Sequence, residues 1–299
     1  MTAAVSPRAT SAMPPVDTPY PLAQDDLDRF ARDGHVALSG VLDADELATY
    51  RDVIGRVVAD NLDSDHALHD DVGASANNWQ FVNNLWTLDK DARQLIMAPR
   101  LARIAAALLD EPRVRLFRDQ SYFKGAGGAG TPWHQDGLFT PLAPQKMVTA
   151  WIALNDMSPE SSPMTYASGS HRDGFLGLSP GGEPAMRHFE KSLVHQGYRL
   201  TTYDALKAGD VAFHAAWTMH ATFAHSAPVP REAVVILYVA DGVRVVVDPP
   251  EGPAVAPYPQ IAQVRANSRA ISLAGLAHDA PADGPMVPVV YDRAADPWA

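Results

Sequence analysis

Residues 114–124, VRLFRDQSYFK, mark the point at which this chain changes its period. Upstream of Val114 apolar residues recur every three or four positions, the spacing of a helix with one buried face. From Val114 onward they recur every second position, the spacing of a strand. Four later stretches share that character: KMVTAWIALNDM (146–157), PMTYASGSH (163–171), DVAFHAAW (210–217) and REAVVILYVADGVRV (231–245). Gly, Pro, Asn and Asp turns separate them. Many short strands without interleaved helices predict an antiparallel sandwich or barrel rather than a parallel α/β sheet.

Working back toward the N-terminus, Asp43 offers a helix cap, and Leu47, Tyr50, Val53, Ile54, Val57 and Val58 follow at helical spacing. HVALSGVL (35–42) reads as a short strand ending in a turn at Gly40. A helix is expected over Leu22–Arg32, with Leu22, Leu27, Phe30 and Ala31 on one face, and two more near 88–96 and 99–109. Residues 61–80 are polar and acidic and read as a long loop, a segment type that often serves as a lid. The run from Asn77 to Trp86 mixes amides with aromatics and suits either a substrate-facing lid or packing in the helical layer. The fold class is therefore mainly β (α+β). Residues 1–20 form a flexible tail and 21–299 a single domain. That domain divides into a helical layer (about 22–113), a β core (about 114–245) and an irregular, Pro-rich C-terminal extension (about 246–299).

Composition narrows the function. The net charge is −11 and only 5 of the 24 basic residues are Lys, which disfavours nucleic acid and anionic membranes as partners. No stretch approaches the length of a membrane span. The absence of cysteine removes disulfides, thiolate nucleophiles and Cys-ligated metals, and fits a cytoplasmic protein.

GAGGAG (125–130) formally matches the dinucleotide fingerprint, but Thr131, Pro132 and a strand follow where a helix would have to begin. It reads as a turn between strands. The next residues, TPWHQDG (131–137), carry more information. His134 and Asp136 are two apart, so an extended backbone points both to one side and offers an imidazole and a carboxylate to a divalent metal such as Fe(II). An H-x-D pair alone is common in solvated loops. His220 is the candidate third ligand, with His214 and His225 as competitors. A hairpin centred between His225 and Ser226 would set His220 opposite Arg231, about 5 Å apart. There a guanidinium could grip the distal carboxylate of a 2-oxo acid bound to the metal.

In order and spacing these stretches resemble the phytanoyl-CoA dioxygenase family of Fe(II)/2-oxoglutarate oxygenases, built on a double-stranded β-helix, or jelly roll. The matching stretches are FARDGHVALSGVLDADEL (30–47), DQSYFK (119–124), TPWHQDG, TAWIALNDMSPESSPMTYASGSH (149–171), and GDVAFH (209–214) with His220 and Arg231. The resemblance implies that His134, Asp136 and His220 ligate iron and that Arg231 binds 2-oxoglutarate. It places Thr222 where a family Ser meets the distal carboxylate, Gln120 and Trp151 in the cosubstrate pocket, and His171 near the metal but not on it. Two positions depart from the family pattern. His225 replaces an Asn, and Lys124-Gly-Ala-Gly replaces Lys-Pro-Pro-Gly. Asp136 retains the carboxylate that halogenating relatives lack.

The implied activity is oxidation of an unactivated C–H bond of a small molecule by Fe(II), O2 and 2-oxoglutarate, most simply a hydroxylation, with release of succinate and CO2. Desaturation, epimerisation and cyclisation are alternatives at the same centre. Alternatives of other classes are a non-catalytic jelly-roll metal-binding or sensor module and a zinc hydrolase, neither of which needs a cosubstrate clamp. A coenzyme A ester would bring several phosphates to a chain poor in Lys, which favours a free metabolite, as in specialised metabolism.

Overall fold

A computed structural model describes residues 13–61, 79–247 and 259–298. Residues 62–78, most of the expected loop with His66, His69, Asn77 and Asn78, lie outside the described residues, as do residues 1–12 of the expected tail.

The change of period at Val114 is the boundary between a helical layer and a β core. Six strands form the larger antiparallel sheet, in the order His35–Leu38, Val211–Ala215, Met147–Ala153, Ala233–Ala240, Arg113–Ser121, Val289–Asp292. Four form the smaller: Thr131–His134, His220–Thr222, Met164–Ser168, Arg199–Thr202. This is the expected jelly-roll core. Every residue of Ala233–Ala240 and Met147–Ala153 is buried, because both faces of the larger sheet are covered. Val234, Ile236 and Tyr238 join the helical layer's core, with Val148, Ala150 and Ile152 beside them. The alternate residues Val235, Leu237, Met147 and Trp151 face the interior between the sheets. Truncating a residue such as Ile236, which has no exposed surface, would cost about 2–5 kcal/mol.

The helical layer follows the sequence closely. Asp43 caps Ala44–Asn61 by accepting from the amides of Asp45 and Glu46, while Glu46 accepts from the amide of Asp43. The helix Gln24–Asp33 buries Phe30, whereas Ala31 is exposed. No helix among the described residues is long and apolar enough to cross a membrane.

Three expectations are corrected. Residues 13–20 are packed rather than loose: Val16 is buried, the Tyr50 hydroxyl donates to the carbonyl of Pro14, and Arg100 donates to that of Thr18. Val16, with Met13 and Tyr20 packed on the same core, and satisfied backbone carbonyls together hold this segment. A helix, Glu183–His195, interrupts the run of strands and covers the outer face of the smaller sheet through Met186 and Leu193. The C-terminal extension is not irregular. It contributes the helix Pro259–Ser272 and the edge strand Val289–Asp292, which pairs with Arg113–Arg115. The inner face of that helix is Ile261, Val264, Arg265, Ser268 and Ser272, all buried. Three of those five are polar, so the helical period does not appear as a hydrophobic one.

Candidate functional site

His134 ends the strand Thr131–His134, and Asp136 opens the 3₁₀ turn Asp136–Phe139. Between them Gln135 points away and is fully buried. Its amide donates to the carbonyls of Gly174 and Trp217, and its oxygen accepts from the amide of Leu176. That anchor directs both neighbours into the interior. His220 begins the adjacent strand in direct register with His134. His134 Nε2 and His220 Nε2 lie 3.5 and 3.7 Å from Asp136 Oδ1, and the two imidazole centroids are 4.1 Å apart. One ligand atom from each residue falls within a 4.8 Å group, the arrangement expected of a metal site.

The protonation of these groups suits a cation. His134 Nδ1 lies 2.7 Å from the Pro132 carbonyl and His220 Nδ1 2.8 Å from that of Thr218. Each Nδ1–H donates there, which leaves the Nε2 lone pair facing Asp136. Burial, together with the neighbouring His134 and His214, holds His220 well below the usual imidazole range, so it is neutral. Burial opposes ionisation of Asp136, but the surrounding imidazoles, His214 among them as a hydrogen-bond donor, outweigh it and hold the carboxyl well below its usual range. The second oxygen of Asp136 accepts from the Thr149 hydroxyl at 2.7 Å and from His214 Nε2 at 3.0 Å. His214 is therefore not a third ligand but a support for Asp136. His225 bonds the Val229 carbonyl at 3.0 Å.

Two cavities meet at this group. The smaller, about 60 Å³, is lined by Tyr122, Thr149, Trp151, Met164, Thr222 and Arg231. Arg231 is 1 % exposed. Its Nη1 donates to the Ser162 carbonyl at 2.6 Å, its Nε has no partner, and its guanidinium carbon lies 5.5 Å from the Trp151 ring centroid. Burial lowers its pKa to about 10. Beside it is Lys124, wholly buried, with Nζ 2.8 Å from Ser162 Oγ, 3.1 Å from Thr222 Oγ1 and 3.9 Å from the Trp79 ring centroid. Burial and the adjacent Arg231 push the ammonium well below its usual range. Neither cation forms an ion pair with a carboxylate among the described residues. Unpaired buried charges are costly, so this corner is built for an incoming anion.

The expected hairpin between His220 and Arg231 does not form. His220 pairs with His134 and Tyr166 in the smaller sheet, whereas Arg231 pairs with Lys124 beside the larger one. The chain crosses between sheets over residues 223–232, and both side chains reach the same cavity from different walls. Gln120 lines the larger cavity, not the smaller. His171 lines neither and bonds the Ala31 carbonyl at 3.2 Å. GAGGAG is a turn followed directly by a strand. Trp79 and Phe81 line the larger cavity, while Asn83 bonds Gln120 and Trp86 is buried in the helical layer, so the described part of the amide-aromatic run divides between a cavity wall and helical-layer packing. Sequence reasoning missed Lys124 and Thr149. The signal for Lys124 was a charged residue closing an otherwise strand-like stretch.

The family model "Phytanoyl-CoA dioxygenase (PhyH)" matches residues 30–233. An ectoine dioxygenase of Sphingopyxis alaskensis is 25 % identical over 230 residues, covering 70 % of this chain and 73 % of the relative. Among solved structures, the epimerase SnoN from nogalamycin biosynthesis, in complex with Fe3+, alpha-ketoglutarate and nogalamycin RO, superposes with a TM-score of 0.67 at 25 % identity. It covers 89 % of this chain and 98 % of its own. The carbocyclase SnoK, also from nogalamycin biosynthesis, superposes with a TM-score of 0.67 at 21 % identity over 91 % of this chain and 99 % of its own.

Proposed function

This chain belongs to the phytanoyl-CoA dioxygenase family, and from that premise we propose that it is an Fe(II)/2-oxoglutarate-dependent oxygenase of a small metabolite, with His134, Asp136 and His220 as the iron ligands. The observation that carries the reading is the buried, counterion-free guanidinium of Arg231 in the cavity that the triad borders, with buried Lys124 held behind it against Thr222 of the cavity wall. A metal-binding module or a zinc hydrolase has no use for that guanidinium. A 2-oxo dicarboxylate does.

Two neutral imidazoles and one carboxylate on one side of an iron leave positions for cosubstrate and O2. When bound, iron with 2-oxoglutarate and O2 supplies the oxidising chemistry, releasing succinate and CO2. The protein positions and protects. The carbonyls of Pro132 and Thr218 fix the tautomers of His134 and His220. Thr149 and His214 hold Asp136 Oδ2, so that Oδ1 faces the metal position. Arg231 offers a planar fork to the distal carboxylate, and Lys124 with Thr222 completes the pocket against the Trp151 ring. The larger cavity, about 130 Å³ with Trp79, Phe139, Leu178 and Val235 in its wall, receives the substrate and limits water.

Aerobic incubation of the protein with Fe(II) and 2-oxoglutarate should form succinate and CO2, and a chelator should stop it. Iron binding without any consumption of 2-oxoglutarate would leave a non-catalytic module instead. Product mass separates the outcomes at the same centre. Hydroxylation adds one oxygen, desaturation or cyclisation removes two hydrogens, and epimerisation leaves the mass unchanged.

A further inference from the structure

The larger cavity contains a buried cation of its own. Arg118 is 6 % exposed and lines that cavity together with Gln120 and Tyr122 from the same stretch of chain. Its Nη2 donates to the Ser268 hydroxyl on the helix Pro259–Ser272, and its Nε has no partner. A hydroxyl is a neutral acceptor and leaves the positive charge uncompensated. Neither of the nearby acids forms an ion pair with Arg118. Asp119 projects from the opposite face of the strand, where it accepts from the amide of Leu85, and burial pushes its carboxyl up to about 8, which disfavours its anion. Asp136 is turned toward His134, His220 and His214. Among the described residues Arg118 forms no ion pair. A desolvated guanidinium without a counter-ion is costly, and an anionic ligand would remove that cost.

The remainder of that wall is apolar and aromatic: Trp79, Phe139, Leu178, Leu237 and Val264. We propose that Arg118 is a specificity-determining residue that pairs with a carboxylate on the substrate, so that the substrate is a small carboxylic acid with an apolar body. The inference rests on reading the larger cavity as the substrate site of the oxygenase. Ser268 holds the guanidinium in place at the cavity wall, where the ligand would meet it. The apolar body lies along Trp79 and Phe139, on the side of the cavity that contains His134 and Asp136.

The test uses wild-type protein under anaerobic conditions with Fe(II) and saturating 2-oxoglutarate, so that Arg231 and Lys124 are already occupied. Phenylacetate, 3-phenylpropionate and 4-phenylbutyrate are titrated in parallel with their carboxamides. At least one acid should bind about tenfold more tightly than its amide. Arg118→Gln should abolish that preference, and Arg118→Lys should retain part of it, because an ammonium keeps the charge but not the fork. The proposal is overturned if no acid exceeds its amide, or if the preference survives intact in Arg118→Gln. Should Arg118→Gln fail to fold, by near-ultraviolet circular dichroism, Arg118→Lys decides, and an undiminished preference there counts against the proposal. Succinate formation by wild-type protein without any probe reads the oxygenase assignment separately, so the two can fail independently.

Discussion

The imidazole of His214 lies 3.0 Å from Oδ2 of Asp136, whereas His134 and His220 approach the other oxygen, Oδ1. The other nitrogen of His214 is 3.3 Å from the Tyr166 hydroxyl, and the residue is 1 % exposed. His214 thus fixes the carboxylate without contributing a ligand atom. Outer hydrogen bonds of this kind are typically worth tenfold to a hundredfold in metal affinity. Anaerobic Fe(II) titration of His214→Ala should show a loss of about that size, with Thr149→Val weakened less, since each leaves the other bond in place. Iron affinity unchanged in both variants would reduce His214 and Thr149 to packing.

The choice among three histidines yields a second expectation. His220→Ala and His134→Ala should each abolish iron-dependent consumption of 2-oxoglutarate and leave the far-ultraviolet circular dichroism of the fold nearly intact. His225→Ala should retain iron binding, because His225 bonds the Val229 carbonyl and takes no part in the triad. The reverse pattern would displace His220 from the site.

Much of this site was legible in the sequence because its signals are local. His134 and Asp136 need only two residues of backbone to converge, and the core strands announce themselves by period. What was not legible depends on partners distant in the chain. His214 and His220 are equivalent in composition. Only the pairing of Val211–Ala215 with Met147–Ala153 sets His214 behind Asp136, while His220 pairs directly with His134. Arg231 was found by a hairpin that does not exist, because turn geometry cannot reveal that the chain changes sheets between Thr222 and Ala233. The helix Pro259–Ser272 was hidden by its own function in the wall. Arg265 and Ser268 lie on its buried face, donating to the Leu138 and Thr140 carbonyls and accepting from Arg118 respectively.

Asp119 predicts a pH dependence of stability. It is wholly buried, and burial raises its carboxyl to about 8, although the amide of Leu85 donates to it. A carboxyl whose pKa is raised on folding binds more protons in the folded state between its unfolded value, about 4, and its folded one. Its contribution is therefore complete below about pH 4 and is lost as pH rises toward 8. Urea midpoints of the wild type should fall between pH 5 and pH 8 by more than those of Asp119→Asn, which keeps the acceptor oxygen but cannot ionise. Equal falls in the two proteins would mean that Asp119 does not titrate in this window.

Lys124 and Arg231 should oppose stability and support binding at once. Each is buried without a carboxylate partner, and each raises the cost of the other's charge. Without cosubstrate, Lys124→Met should melt at a temperature equal to or higher than that of the wild type, since it replaces a strained cation by an apolar chain of similar length. With Fe(II) and 2-oxoglutarate present the order should reverse, because the wild type gains more from the bound dicarboxylate. For Arg231, a bidentate charge-assisted contact contributes roughly 1.5–3 kcal/mol. Arg231→Ala should therefore raise the KM for 2-oxoglutarate by about one to two powers of ten, at roughly 1.4 kcal/mol per tenfold. Arg231→Lys should recover part of the loss. The losses in Arg231→Ala and Lys124→Met should not add in the double variant, because both side chains are anchored on Ser162. Fe(II) affinity should change little in either, as neither side chain belongs to the triad. Shorter 2-oxo acids without a distal carboxylate discriminate a clamp from a structural cation. Their disadvantage relative to 2-oxoglutarate should vanish in Arg231→Ala, and if it persists unchanged there, the clamp is elsewhere and Arg231 serves only to join the sheets.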